Sequence, residues 1–266
     1  MLVDLHTHST FSDGRYTPSQ LVKMAAEAGI GILGITDHDS VNGIEDALNA
    51  AAAVPGAPVI AKGVELGTQV GESSVHILGY NIDIHNKNLL DKIEEMRHAR
   101  EKRLHRMLDK IGALGYHITV EQCDPKNRAV GRPHVAKALV KKGYFASVLL
   151  KRGKPGYEPQ PKLSPEESVE LLHGAGGLAV LAHPAEIENL PLVNTLLSTI
   201  PFDGIEVYHP SADEKMQQCF LQMAQKYKLL VSGGSDFHGV EGRFPEQLGI
   251  FKVYGEKVNI IQKMLK

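Results

Sequence analysis

The sequence predicts an α/β fold in which helices cover both faces of a mainly parallel sheet. The first observation is an alternation of continuous apolar runs with amphipathic segments, which is typical of strands buried on both sides. The second is the length of 266 residues, which suits one α/β barrel of about 250 residues. The third is a stretch from residue 86 to residue 162 that breaks the alternation, and we interpret it as an insertion.

The N-terminal part of the chain is predicted to supply four strands and two helices. The first helix has Thr17 as its N-cap and Pro18 at its first position, and it ends near residue 28. The second helix is expected to begin at Ser40 or Asn42 and to end near residue 53, ahead of two prolines. The strands are expected at residues 2–6, 32–38, 59–65 and 75–80.

Residues 86–162 are predicted to form a mainly helical subdomain inserted into a barrel made of residues 1–85 and 163–266. A long charged amphipathic helix at 89–114 opens the insertion, and a second helix begins at Gly131-Arg-Pro-His134. Its many Lys and Arg residues have two explanations. The commoner one is a solvated helix face, and the other is a basic cap that holds a ligand bearing phosphate.

The alternation of strands and helices returns after residue 162. Ser164 followed three residues later by Glu167 is a capping-box pattern, which marks the start of a helix. The remaining strands are expected at 178–183, 204–209, from 229 onward with a glycine break, and at 248–253. The remaining helices are expected at 192–200, at 213–227 and from residue 256 to the end.

Composition narrows the class of protein. The net charge is -2, so the summed charge gives no sign of nucleic-acid or membrane binding, although a local basic patch can be hidden in that sum. Only two cysteines occur, Cys123 and Cys219, and both are isolated, which favours a reducing cytoplasm. No signal peptide and no apolar run of about 20 residues is present. We therefore expect a cytoplasmic protein with no membrane contact, and no obligate protein partner is evident.

The opening stretch Asp4-Leu-His-Thr-His-Ser carries the first chemical signal. Because side chains two apart on a strand point to the same face, His6 and His8 would leave the strand end side by side. Asp13 follows in a glycine-containing turn. Imidazole and carboxylate both suit Zn²⁺, Mn²⁺ and Fe²⁺, so the stretch is a candidate metal site if other strands supply further ligands.

Nearly every other predicted strand of the barrel has a candidate metal ligand, His, Asp or Glu, at its C-terminal end. In a parallel barrel the C-terminal ends of the strands share one rim, where active sites are built. A single His at a strand end is usually structural, but its repetition strand after strand predicts a multinuclear metal site. The residues concerned are Asp37, His38, Glu65, His76, His183, His209, Asp236 and His238.

The residue types indicate the chemistry. Asp13, Glu65 and Asp236 bring three negative charges, so two or three divalent cations would leave the site positive and attractive to phosphate oxygens. A carboxylate such as Glu65 can bridge two metals, and a water bridging them would lose its proton near neutral pH. The sequence has neither a nucleophilic-serine motif nor a P-loop, so nothing in it indicates a serine hydrolase or an ATP-binding protein.

Five motifs in order resemble those of the polymerase and histidinol phosphatase (PHP) family. They are Asp4-Leu-His-Thr-His-Ser with Ser12-Asp-Gly, Ile35-Thr-Asp-His-Asp, Gly63-Val-Glu-Leu, Leu181-Ala-His-Pro and Gly234-Ser-Asp-Phe-His-Gly. The resemblance covers nearly the whole chain. It implies a distorted seven-stranded TIM-like β/α barrel and an activity of metal-dependent phosphoester hydrolysis.

The resemblance also implies a set of nine metal ligands. One metal would take His6, His8, Glu65 and Asp236, a second Glu65, His76 and His183, and a third Asp13, His38 and His238. Some family members have His where this chain has Asp13, so the number of ions is two or three. Their identity is Mn, Fe or Zn, since such ligands accept all three.

The insertion resembles that of a nucleotide-phosphatase subgroup, whose members act on nucleoside 3′,5′-bisphosphates and on the 5′ ends of short RNA. The resemblance implies that Arg132 and His134 bind substrate phosphate. His209 is expected at the rim without an obvious metal, so we expect it to bind phosphate or to protonate the leaving group. Glu65 and Asp236 would be the catalytic carboxylates, with a metal-bound hydroxide attacking phosphorus. The expected substrate is a small phosphate ester or a short oligonucleotide.

Three alternatives remain at this point. Histidinol-phosphate phosphatase is the same chemistry on another substrate, and the Arg-Pro-His segment argues against it. A 3′→5′ proofreading module is another relative, although no polymerase is attached in this sequence. A non-catalytic, metal-stabilised binding protein belongs to a different class, and the nearly complete ligand set argues against it.

Overall fold

The computed structural model describes residues 1–123, 132–159, 162–187 and 189–264. The chain divides into two compact units, residues 1–90 with 163–266 and residues 91–162. The first boundary therefore lies inside the long helix, a few residues beyond the expected residue 86. Among the described residues, no helix is long and apolar enough to cross a membrane.

The first unit contains an eight-stranded sheet within its described residues, in the order β7-β6-β5-β4-β3-β2-β1-β8. Strands β3 and β4 form an antiparallel hairpin, β4 is antiparallel to β5, and the pairs from β1 to β3 and from β5 to β7 are parallel. The strands are β1 (Leu2–Asp4), β2 (Ile30–Ile35), β3 (Val59–Val70), β4 (Ser73–Tyr80), β5 (Leu178–Leu181), β6 (Gly204–Tyr208), β7 (Leu230–Gly233) and β8 (Val253–Tyr254).

The sheet nearly closes on itself through the segments that follow β1 and β7. The Leu5 amide donates to the Gly233 carbonyl at 3.3 Å, and the His8 amide donates to the Phe237 carbonyl at 2.9 Å. Thr7 and Phe237 form a parallel bridge between the same segments. The predicted distorted β/α barrel is thus confirmed. Its closure brings the candidate metal ligands that follow β1 close to those that follow β7.

Ten helices occur within the described residues, and several begin as the sequence predicts. Thr17 and Ser164 each accept a hydrogen bond from the amide three residues on, and Gln20 and Glu167 accept one back, so both capping boxes are present. The helices are α1 (Pro18–Glu27), α2 (Ile44–Ala53), α3 (Lys87–Gly112), α4 (Val120–Cys123), α5 (Arg132–Lys141), α6 (Ala146–Leu150), α7 (Pro165–Gly174), α8 (Leu190–Thr199), α9 (Glu214–Tyr227) and α10 (Ile261–Met264).

The start of α2 and the C-terminal elements differ from the predictions. Ser40 Oγ accepts from the Asn42 amide at 3.4 Å, so it stabilises a turn, and α2 begins later, after Gly43. The expected strand at 248–253 is wrong, because Gly249 has φ +87° and the region forms turns. In this region the two-residue strand β8 pairs with β1, and the expected terminal helix is a 3₁₀ turn followed by the short α10.

The second unit is helical and has its own hydrophobic core. Helices α3, α4, α5 and α6 supply most of the buried side chains, so this unit does not depend on a sheet for its packing. The core residues are Leu104, Met107, Ile111, Ile118, Cys123, Val135, Ala138, Leu139, Leu149 and Leu150. The predicted helix start at Gly131 lies outside the described residues, and the helix that follows begins at Arg132.

Candidate active site

Glu65 is the carboxylate around which the site is arranged. It lies on β3 and is fully buried. Its Oε1 is 2.7 Å from His76 Nδ1 and 3.0 Å from His183 Nε2. Its Oε2 contacts three further imidazoles, at 3.0 Å from His38 Nδ1, 3.1 Å from His8 Nε2 and 3.3 Å from His6 Nε2. One carboxylate therefore lies between two groups of histidines, one at each oxygen.

The fold explains how histidines distant in sequence reach this carboxylate. The β3–β4 hairpin pairs Gly67 with His76, which places that histidine beside Glu65. A parallel bridge between His38 and Glu65 extends the β2–β3 pairing beyond the end of β2. His183 follows β5 directly with φ +24°, an uncommon backbone conformation for a residue other than glycine. Strained positions of this kind cluster at functional sites.

Asp236 lies on the other side of His6 and His8. Its Oδ1 is 3.0 Å from His8 Nε2 and 3.4 Å from His6 Nε2. Its Oδ2 accepts a hydrogen bond from the Arg243 guanidinium at 2.6 Å. Asp236 also has φ +51°, so its backbone, like that of His183, is held in the left-handed region. The Asp236 carboxylate thus contacts the histidine pair through one oxygen and the guanidinium of Arg243 through the other.

Asp13 forms a third group with His38 and His238. Its Oδ1 is 3.1 Å from His238 Nε2 and 4.0 Å from His38 Nε2. The loop that carries Asp13 is fixed by Asp37, which accepts hydrogen bonds from the hydroxyls of Ser9 and Ser12, each at 2.6 Å. Asp37 therefore orients the loop rather than facing the histidines.

The donor atoms are close enough to share divalent cations. Candidate ligand atoms lie within 4.8 Å of one another in each of four sets. These sets are His6, His8, Glu65 and Asp236; His8, Asp13, His38 and His238; His38, Glu65 and His76; and Glu186, His209 and Asp236. The first set has the same members as the ligand group that the family resemblance implies for one metal.

Several of these donor atoms are buried near an oppositely charged or polar group but do not meet the geometry of a hydrogen bond with it. Among the described residues, this holds for His8 Nε2, Asp13 Oδ1, His183 Nδ1 and His238 Nε2. A buried polar atom without a partner is costly, and a metal ion would satisfy it. The mixture of imidazole and carboxylate also suits Mn²⁺, Fe²⁺ or Zn²⁺. The residues present therefore fit a group of divalent cations.

His209 lies at the edge of this cluster. The Ser211 amide donates to His209 Nδ1 at 3.1 Å, which leaves the proton of the neutral imidazole on Nε2. That Nε2 is 3.8 Å from Asp236 Oδ2 and has no hydrogen-bond partner in the described part of the chain. The structure thus aims a buried N–H at the region beside Asp236.

Arg132 and His134 belong to the second unit and occupy the first turn of α5. Arg132 is exposed, and His134 is half-buried. Burial and the neighbouring Arg132 together lower the pKa of Arg103, so two guanidinium groups lie near each other in this unit. Their assignment to substrate phosphate stays a prediction.

Glu206 is a residue of the site to which the sequence patterns gave no role. It is fully buried on β6, and its carboxylate contacts His6 Nδ1 at 3.0 Å and accepts from the His183 amide at 2.7 Å. It thereby directs His6 Nε2 toward Glu65 and Asp236. The available signal was a single carboxylate inside the apolar run Gly204-Ile-Glu-Val-Tyr208, because a buried charge needs a partner.

Replacing Glu206 with Gln is expected to weaken metal binding while the protein stays folded. Since Glu206 fixes the orientation of His6, the loss in metal affinity should be about 10- to 100-fold, which is typical of residues that hold a ligand in place. Titration of metal-stripped protein with Mn²⁺ measures this. Glu214→Gln, an exposed change on α9, is the matched control and should bind metal normally. Equal affinities for the two variants would contradict the role given to Glu206.

The histidines and carboxylates of the cluster strongly perturb one another's protonation. Burial alone would lower the pKa of His38, yet the neighbouring Glu65 and Asp13 raise it to about 9. Burial would likewise raise the pKa of Glu65, but His38, His76 and His6 hold it well below its usual range. Burial lowers the pKa of His76 to about 4. At neutral pH the metal-free cluster therefore holds protons on some imidazoles and none on its carboxylates.

Metal affinity is expected to rise with pH between about 6.5 and about 9. A metal must displace the proton from His38, and below its folded pKa of about 9 that displacement opposes binding. The affinity should level off once His38 is neutral. Calorimetric titration with Mn²⁺ at several pH values, in buffers of different ionisation enthalpy, should also detect the released protons. An affinity independent of pH across this range would contradict the expectation.

Comparisons with known proteins identify relatives that are similar over most of the chain. The family model described as PHP domain matches residues 4–169. A 3′,5′-nucleoside bisphosphate phosphatase from Chromobacterium violaceum is 34% identical over 253 residues, covering 89% of this chain and 87% of the relative. The 5′-3′ exoribonuclease Rnm from Escherichia coli K12 is 30% identical over 250 residues, covering 90% and 85%.

A solved structure from Bifidobacterium adolescentis, assigned to the metal-dependent phosphoesterases, has a similar fold. Its TM-score is 0.82 at 28% sequence identity, and the match covers 98% of this chain and 94% of that one. The similarity therefore extends over both units of the chain.

Proposed function

The chain belongs to the PHP domain family and is a phosphoesterase, and we propose that it hydrolyses phosphate esters of nucleotides. The substrates would be nucleoside 3′,5′-bisphosphates, the class named for one relative, or the 5′ ends of short RNA, which the similarity to a 5′-3′ exoribonuclease supports. The observation that carries the proposal is the arrangement around Glu65, where five imidazoles contact one buried carboxylate.

We propose that nine residues of the barrel hold two or three divalent ions of Mn, Fe or Zn. When bound, these ions supply positive charge to the phosphoryl oxygens and lower the pKa of water. The proposed ligands are His6, His8, Asp13, His38, Glu65, His76, His183, Asp236 and His238. Glu65 and Asp236 are the proposed catalytic carboxylates, because each contacts more than one histidine. Cys123 and Cys219 are not joined in a disulfide, which supports a cytoplasmic location.

Substrate phosphate would be bound by Arg132, His134 and His209. The planar guanidinium of Arg132 can donate two parallel hydrogen bonds to a phosphate, and the imidazole of His134 adds another donor. His209 Nε2 is buried with its proton free, so it can donate to a phosphoryl oxygen or to the leaving alkoxide. The barrel would carry the chemistry and the helical unit, residues 86–162 in the sequence prediction, would carry substrate recognition.

Product release in the presence of Mn²⁺ tests the substrate class, measured as inorganic phosphate from phosphomonoesters and as mononucleotide from an oligoribonucleotide. Three substrates are compared: a nucleoside 3′,5′-bisphosphate, a short 5′-phosphorylated oligoribonucleotide and histidinol phosphate. We expect kcat/KM for at least one nucleotide to exceed that for histidinol phosphate by about 100-fold or more, because a site built for phosphate and base rejects a ligand lacking the base. Preference for histidinol phosphate, or no release from any of the three, would overturn the proposal.

A further inference from the structure

The second unit carries a strongly basic segment, of which the proposed hydrolysis uses only Arg132 and His134. Between Asp124 and Glu158 the sequence has nine Lys and Arg residues and no Asp or Glu. Residues 91–162 contain 17 basic and eight acidic residues, a net charge of +9. The remaining 12 basic and 23 acidic residues give the other unit -11, so the two charges nearly cancel in the net -2 of the chain.

Within the second unit, the acidic side chains with described ion pairs are bound to α3. Glu94 pairs with Arg97 at 2.6 Å, and Glu95 pairs with Lys92 at 2.8 Å. Glu158 pairs with Arg106 at 2.6 Å. The carboxylates therefore offset the basic side chains of α3, while the segment from 132 to 154 contains no acidic residue of its own.

An aromatic side chain projects from this basic segment. Phe145 is 80% exposed, although the adjoining Leu149 and Leu150 are buried in the core of the unit. Gly143, with φ +80°, ends α5, and the Tyr144 amide donates to the Leu139 carbonyl at 3.0 Å. The Val148 amide donates to the Phe145 carbonyl at 3.1 Å, so the backbone is held on both sides of Phe145 while its ring is exposed to solvent.

Exposed lysines occur on both sides of Phe145 in the sequence. Lys137 and Lys141 lie on α5, and Lys151 and Lys154 follow α6, which packs against α5. An exposed aromatic ring in a basic segment matches a ligand with repeated negative charges and flat apolar faces. Single-stranded nucleic acid has this chemistry, because its phosphates bind lysines and its unpaired bases stack on aromatic side chains.

We propose that α5, α6 and residues 151–154, here called the basic face, bind single-stranded nucleic acid. Phe145 stacks on a base, and Lys137, Lys141, Lys151 and Lys154 contact phosphates. The inference rests on the proposed function only in naming oligonucleotides as substrates. It deepens that proposal, since the basic face favours a strand of several nucleotides over a mononucleotide.

Fluorescence anisotropy tests the basic face in the full-length, metal-loaded protein. The probe is a labelled single-stranded octaribonucleotide with a 5′ phosphate and a phosphorothioate at its first linkage, which resists hydrolysis. The variant combines Phe145→Ala, Lys141→Ala and Lys151→Ala, all at exposed positions. We expect its Kd to rise at least about tenfold and its salt dependence to weaken by about two phosphate contacts. kcat/KM for a nucleoside bisphosphate should stay unchanged.

The control variant combines Lys23→Ala on α1 and Lys215→Ala on α9, which are equally exposed on the other unit. It should bind the probe like the wild type. The inference is overturned if the triple variant binds normally, or if the control loses as much affinity. Binding of the wild type to anionic phospholipid vesicles without binding to the probe overturns it as well. The inference is also overturned if the triple variant binds the probe normally and differs from the wild type only in its oligomeric mass, measured by light scattering.

These outcomes are distinguishable from failure of the proposed function. If no nucleotide releases phosphate while the probe binds as described, the proposed hydrolysis fails and the basic face stands. If phosphate is released from the bisphosphate while the triple variant still binds the probe normally, the proposed hydrolysis stands and the basic face is wrong.

Discussion

Glu65→Gln is expected to lower kcat for phosphate release by at least about 1,000-fold and to remove at least one bound divalent ion. The reason is that both oxygens of this carboxylate face imidazole nitrogens, with His76 and His183 at one and His6, His8 and His38 at the other. An amide offers one weaker acceptor and places an NH₂ group among the histidines. Metal analysis and phosphate release on the same preparation measure both effects.

Glu166→Gln on α7 is the matched control for this change, because Glu166 is exposed and lies in the first turn of a helix. It should keep the metal content and turnover of the wild type. A Glu65→Gln protein that retained full metal content and full turnover would show that the cluster is not the catalytic centre.

Arg132→Ala is expected to lower kcat/KM for a nucleotide substrate by about 100-fold with no change in metal content. The guanidinium would bind phosphate through two parallel hydrogen bonds, and Arg132 is exposed and able to meet a ligand. Lys should rescue only part of the loss, since an ammonium lacks the planar fork of donors. Steady-state kinetics with a nucleoside 3′,5′-bisphosphate measure the effect.

Arg97→Ala is the matched control in the same unit, since Arg97 is partly exposed on α3 and pairs with Glu94 at the protein surface. It should leave kcat/KM unchanged. If Arg132→Ala behaves in the same way as Arg97→Ala, Arg132 has no part in substrate binding and the assignment from the family pattern is wrong for this chain.

The sequence was informative where a short local pattern has a geometric consequence. Continuous apolar runs ending in His, Asp or Glu predict strands whose polar residues meet at one rim, and the structure brings His6, Glu65 and Asp236 together there. The capping boxes at Thr17 and Ser164 likewise depend on residues three apart. In both cases the pattern that makes the prediction lies within a few consecutive residues.

The sequence was less informative where the partner is remote or where a turn overrides propensity. Glu206 acquires its role from His6, 200 residues away, and that pairing exists only once the barrel closes. The apolar residues near 248–253 favour a strand, but the left-handed backbone at Gly249 ends any extended run there. Ser40 resembles a helix cap, yet its hydroxyl accepts from Asn42 in the preceding turn.

The most direct test of the metal-centre account is to measure bound metal and phosphate release together. The purified protein is analysed for Mn, Fe and Zn, stripped with a chelator, and reloaded in steps while release from a nucleoside 3′,5′-bisphosphate is followed. We expect two or three ions per chain, loss of turnover on stripping, and recovery in proportion to the metal restored. Turnover that persists in stripped protein, or a fully loaded protein that releases no phosphate from any nucleotide, would contradict the account.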